Sequence, residues 1–68
     1  MFEEAGRLVI ENQKGSIGYL QRNFRIGFHR AARIMDQLAE AGVVGPEMGT
    51  KPREIRMAIS EFEELINA

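Results

Sequence analysis

Cysteine and tryptophan are absent from these 68 residues, and histidine occurs once, as His29. Without cysteine there is no disulfide framework and no thiolate metal site, and a lone imidazole cannot build a zinc centre. These ligand types imply no cofactor. No apolar run approaches the ~18 residues that span a bilayer, and no signal peptide is recognisable at the start. A chain this short lies near the lower limit for folding on a hydrophobic core alone. Packing must therefore hold it together, as suits a cytosolic protein or a cytosolic piece of a larger one. The expectation is a single domain over residues 1–68, in the cytoplasm.

An excess of charge of one sign is missing too. The net charge is −1, with 44% hydrophobic and 28% charged residues, ordinary for a globular domain and unlike a basic protein that adheres to any polyanion. The distribution is less ordinary. Residues 12–35 carry Lys14, Arg22, Arg25, Arg30 and Arg33 and no acid, a local charge of +5. A second basic group, Lys51, Arg53 and Arg56, surrounds Glu54, while acids gather at both ends of the chain. Such asymmetry suits a polyanion-facing surface as well as it suits a solvated face.

Along the chain, Phe2, Ala5, Leu8 and Val9 fall at helical spacing within residues 1–12, with acids in the first turn as the helix dipole favours. "NQKGS" interrupts the pattern: Gly15 punctuates and Ser16 can cap a second helix over residues 17–23. Gly27 offers a permissive backbone position before a third helix that runs to about Ala41. On that helix Ala31, Ile34, Met35 and Leu38 share one face, flanked by Phe28, Ala32 and Ala39, and His29, Arg33, Asp36 and Glu40 share the opposite one. Gly42 supplies a left-handed cap.

Val43 and Val44 then begin a short strand, "GPEMGTKP" reads as a turn, and residues 53–59 alternate with Ile55, Met57 and Ile59 on one side. "SEFEELINA" holds a capping box of Ser60 and Glu63 and an apolar face of Phe62, Leu65 and Ile66. Helix, helix–turn–helix, hairpin and helix together predict a mainly α winged helix with a small β-hairpin. In that arrangement the second helix of the pair commonly enters the DNA major groove.

The residues support that chemistry. Arg33 can donate two parallel hydrogen bonds to guanine, and His29, one turn earlier, can donate to or accept from a base edge. Asp36 can accept from a cytosine amino group, or can hold Arg33 three residues away. Lys14, Arg22, Arg25 and Arg30 lie where a helix–turn–helix approaches phosphates, and Lys51 and Arg53 lie on the expected wing. Enzymatic readings fail. "GPEMGTK" has the wrong glycine spacing and the wrong lysine order for a phosphate-binding loop. His29 has no nucleophilic partner, and Glu61, Glu63 and Glu64 suit a solvated helix better than a metal.

The run "GSIGYLQRNFRIGFHRAARIMDQLAEAGVVGPEMGTKPREI", Gly15 to Ile55, resembles the C-terminal γ domain of the FtsK/SpoIIIE DNA translocases. The flanks Phe2–Asn12 and Ser60–Leu65 resemble it as well. The resemblance implies a DNA-reading module at the end of a hexameric, ATP-driven, membrane-anchored motor that pumps chromosomal DNA at the division septum. It implies binding of short, skewed, guanine-rich motifs in double-stranded DNA, with several copies of the domain on one motif. It also implies contact with, and activation of, a XerD-type tyrosine recombinase. Three base-reading positions of the family map onto His29, Arg33 and Asp36; the family usually has asparagine at the first, and glutamate is also common at the third. The motor is not represented, so this stretch is not expected to be an enzyme or to touch the membrane directly. The rival reading is a winged helix that only docks a protein such as the recombinase.

Overall fold

The computed structural model describes residues 1–49 and 51–68. Among these residues four helices make the fold: α1 (Phe2–Asn12), α2 (Ile17–Phe24), α3 (Phe28–Glu40) and α4 (Ile59–Ile66). α2 packs on α3, and α1 packs on both α3 and α4. The core gathers the apolar stripe of each helix: Ala5 and Val9 from α1, Leu20 from α2, Ala31, Met35 and Leu38 from α3, and Phe62 from α4. Val43 and Val44, in the chain that leaves α3, complete it. Burying these side chains is the main favourable term for so small a domain. No helix among the described residues is long and apolar enough to cross a membrane.

The helix ends explain the spacing of the elements. α1 stops at Gln13, whose left-handed φ of 54° lets its N–H reach the Ile10 carbonyl while that of Lys14 reaches Val9. Ser16 caps α2 by accepting the Tyr19 N–H at 3.3 Å, as its position before an apolar run predicts. α2 ends on Arg25, again left-handed at φ 53°. Gly27, expected to be the permissive position, has an ordinary φ of −75° and serves as the N-cap of α3. After α3, Gly42 turns left-handed at φ 85°, its N–H bonding Ala39 and that of Val43 bonding Leu38. That pattern is a Schellman closure.

The expected winged helix, with its β-hairpin, is not what forms. Among the described residues there is no strand and no sheet, only isolated antiparallel bridges, Gly15 to Arg53, Val44 to Ile55 and Met48 to Lys51. The chain from Val43 to Ala58 does return on itself, with Gly45 N–H bonding Glu54 and Arg56 N–H bonding Val43. The pairing cannot lengthen into a ladder. Pro46 and Pro52 have no N–H to give, and Arg53 directs its own N–H to Gly15, at 2.8 Å, instead of across the turn. The alternation read from residues 53–59 survives without a strand: Arg53, Ile55, Met57 and Ile59 are half-buried and the residues between them exposed. Thr50, in the expected turn, lies outside the described residues.

The last helix begins two residues earlier than the sequence suggests. Its N-cap is Ala58, and Glu61 accepts the Ala58 N–H at 3.0 Å, so the expected capping pair of Ser60 and Glu63 does not form. Leu65, expected on the apolar face, is exposed. Glu63 instead meets Arg7 at 3.5 Å, and Arg7 also approaches Glu3, so an ion pair spans α1 and α4.

Candidate nucleic-acid interface

α3 is amphipathic along its whole length. Its buried side carries Ala31, Ile34, Met35 and Leu38; His29, Arg30, Arg33, Asp36, Gln37 and Glu40 are exposed. A period of 3.6 residues places His29, Arg33 and Asp36 on successive turns of one arc, so the three candidate base readers share one exposed surface. Lys14 precedes α2, Arg22 lies on its last turn, and Arg25 occupies the three-residue connection to α3. All of these cations are exposed.

The ion pairs divide the basic residues into two sets. Among the described residues, Arg7 pairs with Glu3 and Glu63, Arg53 with Asp36, and Arg56 with Glu54. Lys14, Arg22, Arg25, Arg30, Arg33 and Lys51 have no carboxylate within ion-pair distance among those residues. The cations of the acid-free stretch are therefore exposed and uncompensated, with Arg22 on α2 and Arg30 and Arg33 on α3.

Asp36 does not hold Arg33. Its Oδ1 accepts from the Arg53 guanidinium at 3.3 Å. The Arg53 side chain is only 11% exposed, whereas that of Asp36 is 68% exposed. Of the two wing candidates, Lys51 is open to solvent and Arg53 is drawn inward against α3. A depression of about 210 Å³ lies beside these residues, lined by Gly15, Ser16, Lys51 and Arg53 among others.

One exposed residue escapes the periodicity argument. Phe28 falls on the edge of the apolar face by its spacing, yet it is 57% exposed. It occupies the first position of α3, where the side chain leans back beyond the start of the helix and outruns the packed core. Its ring stands edge-on to His29, with centroids 5.9 Å apart and planes at 80°. An exposed aromatic directly after a helix-opening glycine is the signal that could have marked it. Beside this pair, a groove of about 480 Å³ runs between the start of α1 and α3, touched by Phe2, His29, Arg30 and Arg33. No group of three or more metal-ligating side chains converges among the described residues.

The family model described as the Ftsk gamma domain matches residues 1–58. The chain belongs to the FtsK γ domain family. It is 56% identical over 55 residues to a DNA translocase FtsK of Streptococcus pyogenes, a stretch covering 81% of this chain and 7% of the relative. A DNA translocase FtsK of Listeria monocytogenes is 47% identical over 64 residues, covering 94% of this chain and 8% of the relative. The DNA translocase SpoIIIE of Bacillus subtilis is 46% identical over 65 residues, 96% of this chain and 8% of that protein. The chain thus spans less than a tenth of the length of the relatives it matches. The γ-domain match ends at Ala58, immediately before α4, and holds every candidate site residue.

Proposed function

We propose that this γ domain binds double-stranded DNA sequence-specifically through the exposed face of α3. In this reading Arg33 donates to guanine, His29 meets the adjoining base edge, and Asp36 accepts from an exocyclic amine. Lys14, Arg22, Arg25, Arg30 and Lys51 hold phosphates and set the register. The observation that carries the reading is that Arg30 and Arg33, exposed and without ion-pair partners among the described residues, stand on α3 with His29 and Asp36 on the same exposed side.

The relatives are named DNA translocases, which supports a role in a larger DNA-moving protein. The domain then reads short, skewed, guanine-rich motifs and so loads and orients the motor along the chromosome in division and segregation. It contributes no catalytic group; the ATPase belongs to another part of the parent, and the domain works in the cytoplasm where the DNA is. The near-neutral net charge keeps nonspecific affinity low, so that base contacts and several tethered copies on one motif decide where the motor loads. Contact with a XerD-type recombinase is compatible with this, on a surface away from α3.

The test is binding of the domain to duplexes carrying a guanine-rich skewed octamer, its scrambled version and single-base variants at one fixed salt concentration, with Arg33→Ala alongside. Strong preference for one ordered sequence, lost in Arg33→Ala, is the expected result. Equal, weak binding to every duplex would overturn base reading and favour a protein-docking domain.

A further inference from the structure

We infer that Arg53 is a positioning residue for DNA reading: it holds the carboxylate of Asp36 in place rather than gripping a phosphate. The inference rests on the base-reading role of α3 and extends it to a residue outside that helix.

Three observations converge on Arg53. Its backbone N–H donates to the Gly15 carbonyl at 2.8 Å, at the connection that leads into α2. A side chain at Gly15 would collide with the Arg53 carbonyl, so the close approach depends on glycine there. Its guanidinium reaches Asp36 at 3.3 Å on the exposed arc of α3. One residue thus joins the start of α2, the returning chain and the outward face of α3.

A stabilising role does not account for this arrangement. Asp36 is 68% exposed, and an ion pair open to water on one side adds little to folding. Its chemistry matters more beside DNA. A bare carboxylate brought among phosphates is repelled, and a freely rotating one selects no base. The Arg53 guanidinium neutralises that charge and occupies Oδ1, leaving Oδ2 to accept from a cytosine or adenine amino group. Because Arg53 is itself 89% shielded and tied through its backbone, the carboxylate is held from a rigid base. Support of this kind fixes the geometry of a contact that would otherwise be loose.

The two roles open to Arg53 leave different traces. A phosphate contact adds equally to every sequence and contributes about 0.9 to the slope of log K against log salt. A positioning residue alters the preference at one base pair and leaves that slope alone. The experiment selects a site from a randomised octamer duplex library with the 68-residue chain. Affinities for that site, its single-base variants and a scramble are then measured over a range of salt for wild type, Arg53→Met, Arg53→Lys and Asp36→Ala. Melting curves accompany each variant; if Arg53→Met does not fold, Arg53→Lys and Asp36→Ala carry the comparison.

Both Arg53 variants are expected to lose about fivefold or more of the preference at one base pair, the same one that Asp36→Ala loses. Preferences elsewhere and the salt slope should stay at their wild-type values. A partly unfolded variant would weaken all duplexes in proportion and leave the single-base preference standing, which overturns the inference in favour of a purely structural role. Equal loss on every duplex with a slope smaller by about 0.9, restored by Arg53→Lys, identifies a phosphate contact; it overturns the inference and leaves base reading intact. Failure of wild type to select any site overturns base reading itself, and the positioning role with it.

Discussion

The ring of Phe62 on α4 lies directly against the backbone of Gly6 on α1, where a β-carbon would occupy the space of the ring. Phe62 is fully buried and also meets Phe2, with ring centroids 5.7 Å apart. Glycine in mid-helix is unfavourable by about 1 kcal/mol against alanine, so its presence there follows from packing. In Gly6→Ala the helix gains that amount, but overpacking of a fixed ring costs about 1–3 kcal/mol. The expected net effect is a loss of up to about 2 kcal/mol, a melting temperature lower by up to roughly 16 °C. A stabilised Gly6→Ala in thermal melts would show that α4 is not seated on α1 in this way.

Gly42 tests backbone conformation free of packing. At φ 85° it closes α3, and a β-carbon there would find Met57 at an ordinary 3.9 Å. Gly42→Ala should therefore lose about 1 kcal/mol from the left-handed conformation alone, lowering the melting temperature by roughly 4–8 °C. Gly42→Asn should lose less, since asparagine tolerates this region. Equal losses in both variants would point to a steric cause instead.

Much of this was legible in the sequence. The burial of Ala31, Ile34, Met35 and Leu38, the Ser16 cap and the turn at Gly42 follow from periodicity and local chemistry, and the structure places them so. The absence of a hairpin was not legible, because alternation in residues 53–59 records one buried side of an extended chain and not a hydrogen-bonded partner for it. The partner of Asp36 was hidden for a related reason. Arg33 is close along the helix, whereas Arg53 comes near only once the chain has folded back. Gly27 reads as the permissive position between α2 and α3, but the unusual backbone there falls on Arg25 at φ 53°, because the α2 terminus closes two residues earlier.

Arg25 is the residue at which stability and DNA binding should part company. Its φ of 53° is a conformation that costs a side-chain-bearing residue about 1 kcal/mol or more. The exposed side chain has no ion-pair partner among the described residues to offset that strain. In Arg25→Gly the strain is relieved, partly offset by greater freedom of the unfolded chain, and stability should rise by up to about 1 kcal/mol. The same change removes one proposed phosphate contact, so affinity should fall on all duplexes alike and the salt slope should drop by about 0.9. Melting curves and salt titrations of one variant therefore move in opposite senses. A fall in stability with unchanged DNA affinity would remove Arg25 from the phosphate set.

The resemblance drawn from the sequence implies asparagine at the position that His29 occupies, and such a departure would have a consequence in base chemistry. Asparagine presents a donor and an acceptor side by side and can pair with both N6 and N7 of adenine. One imidazole cannot make that paired contact; it can donate to guanine N7 or O6, or pack against a thymine methyl. Its ring is also oriented, standing edge-on to the exposed Phe28, which narrows the base edges it can reach. His29→Asn should therefore shift the selected motif at one base pair, toward adenine, by the roughly 1–3 kcal/mol that one good paired contact discriminates. Because His29 is exposed and buries no partner, stability should stay within about 0.5 kcal/mol of wild type. Selection from a randomised duplex library reads the shift directly. An unchanged motif would mean that His29 faces the DNA without reading it, and that the specificity of the α3 face rests on Arg33 and Asp36.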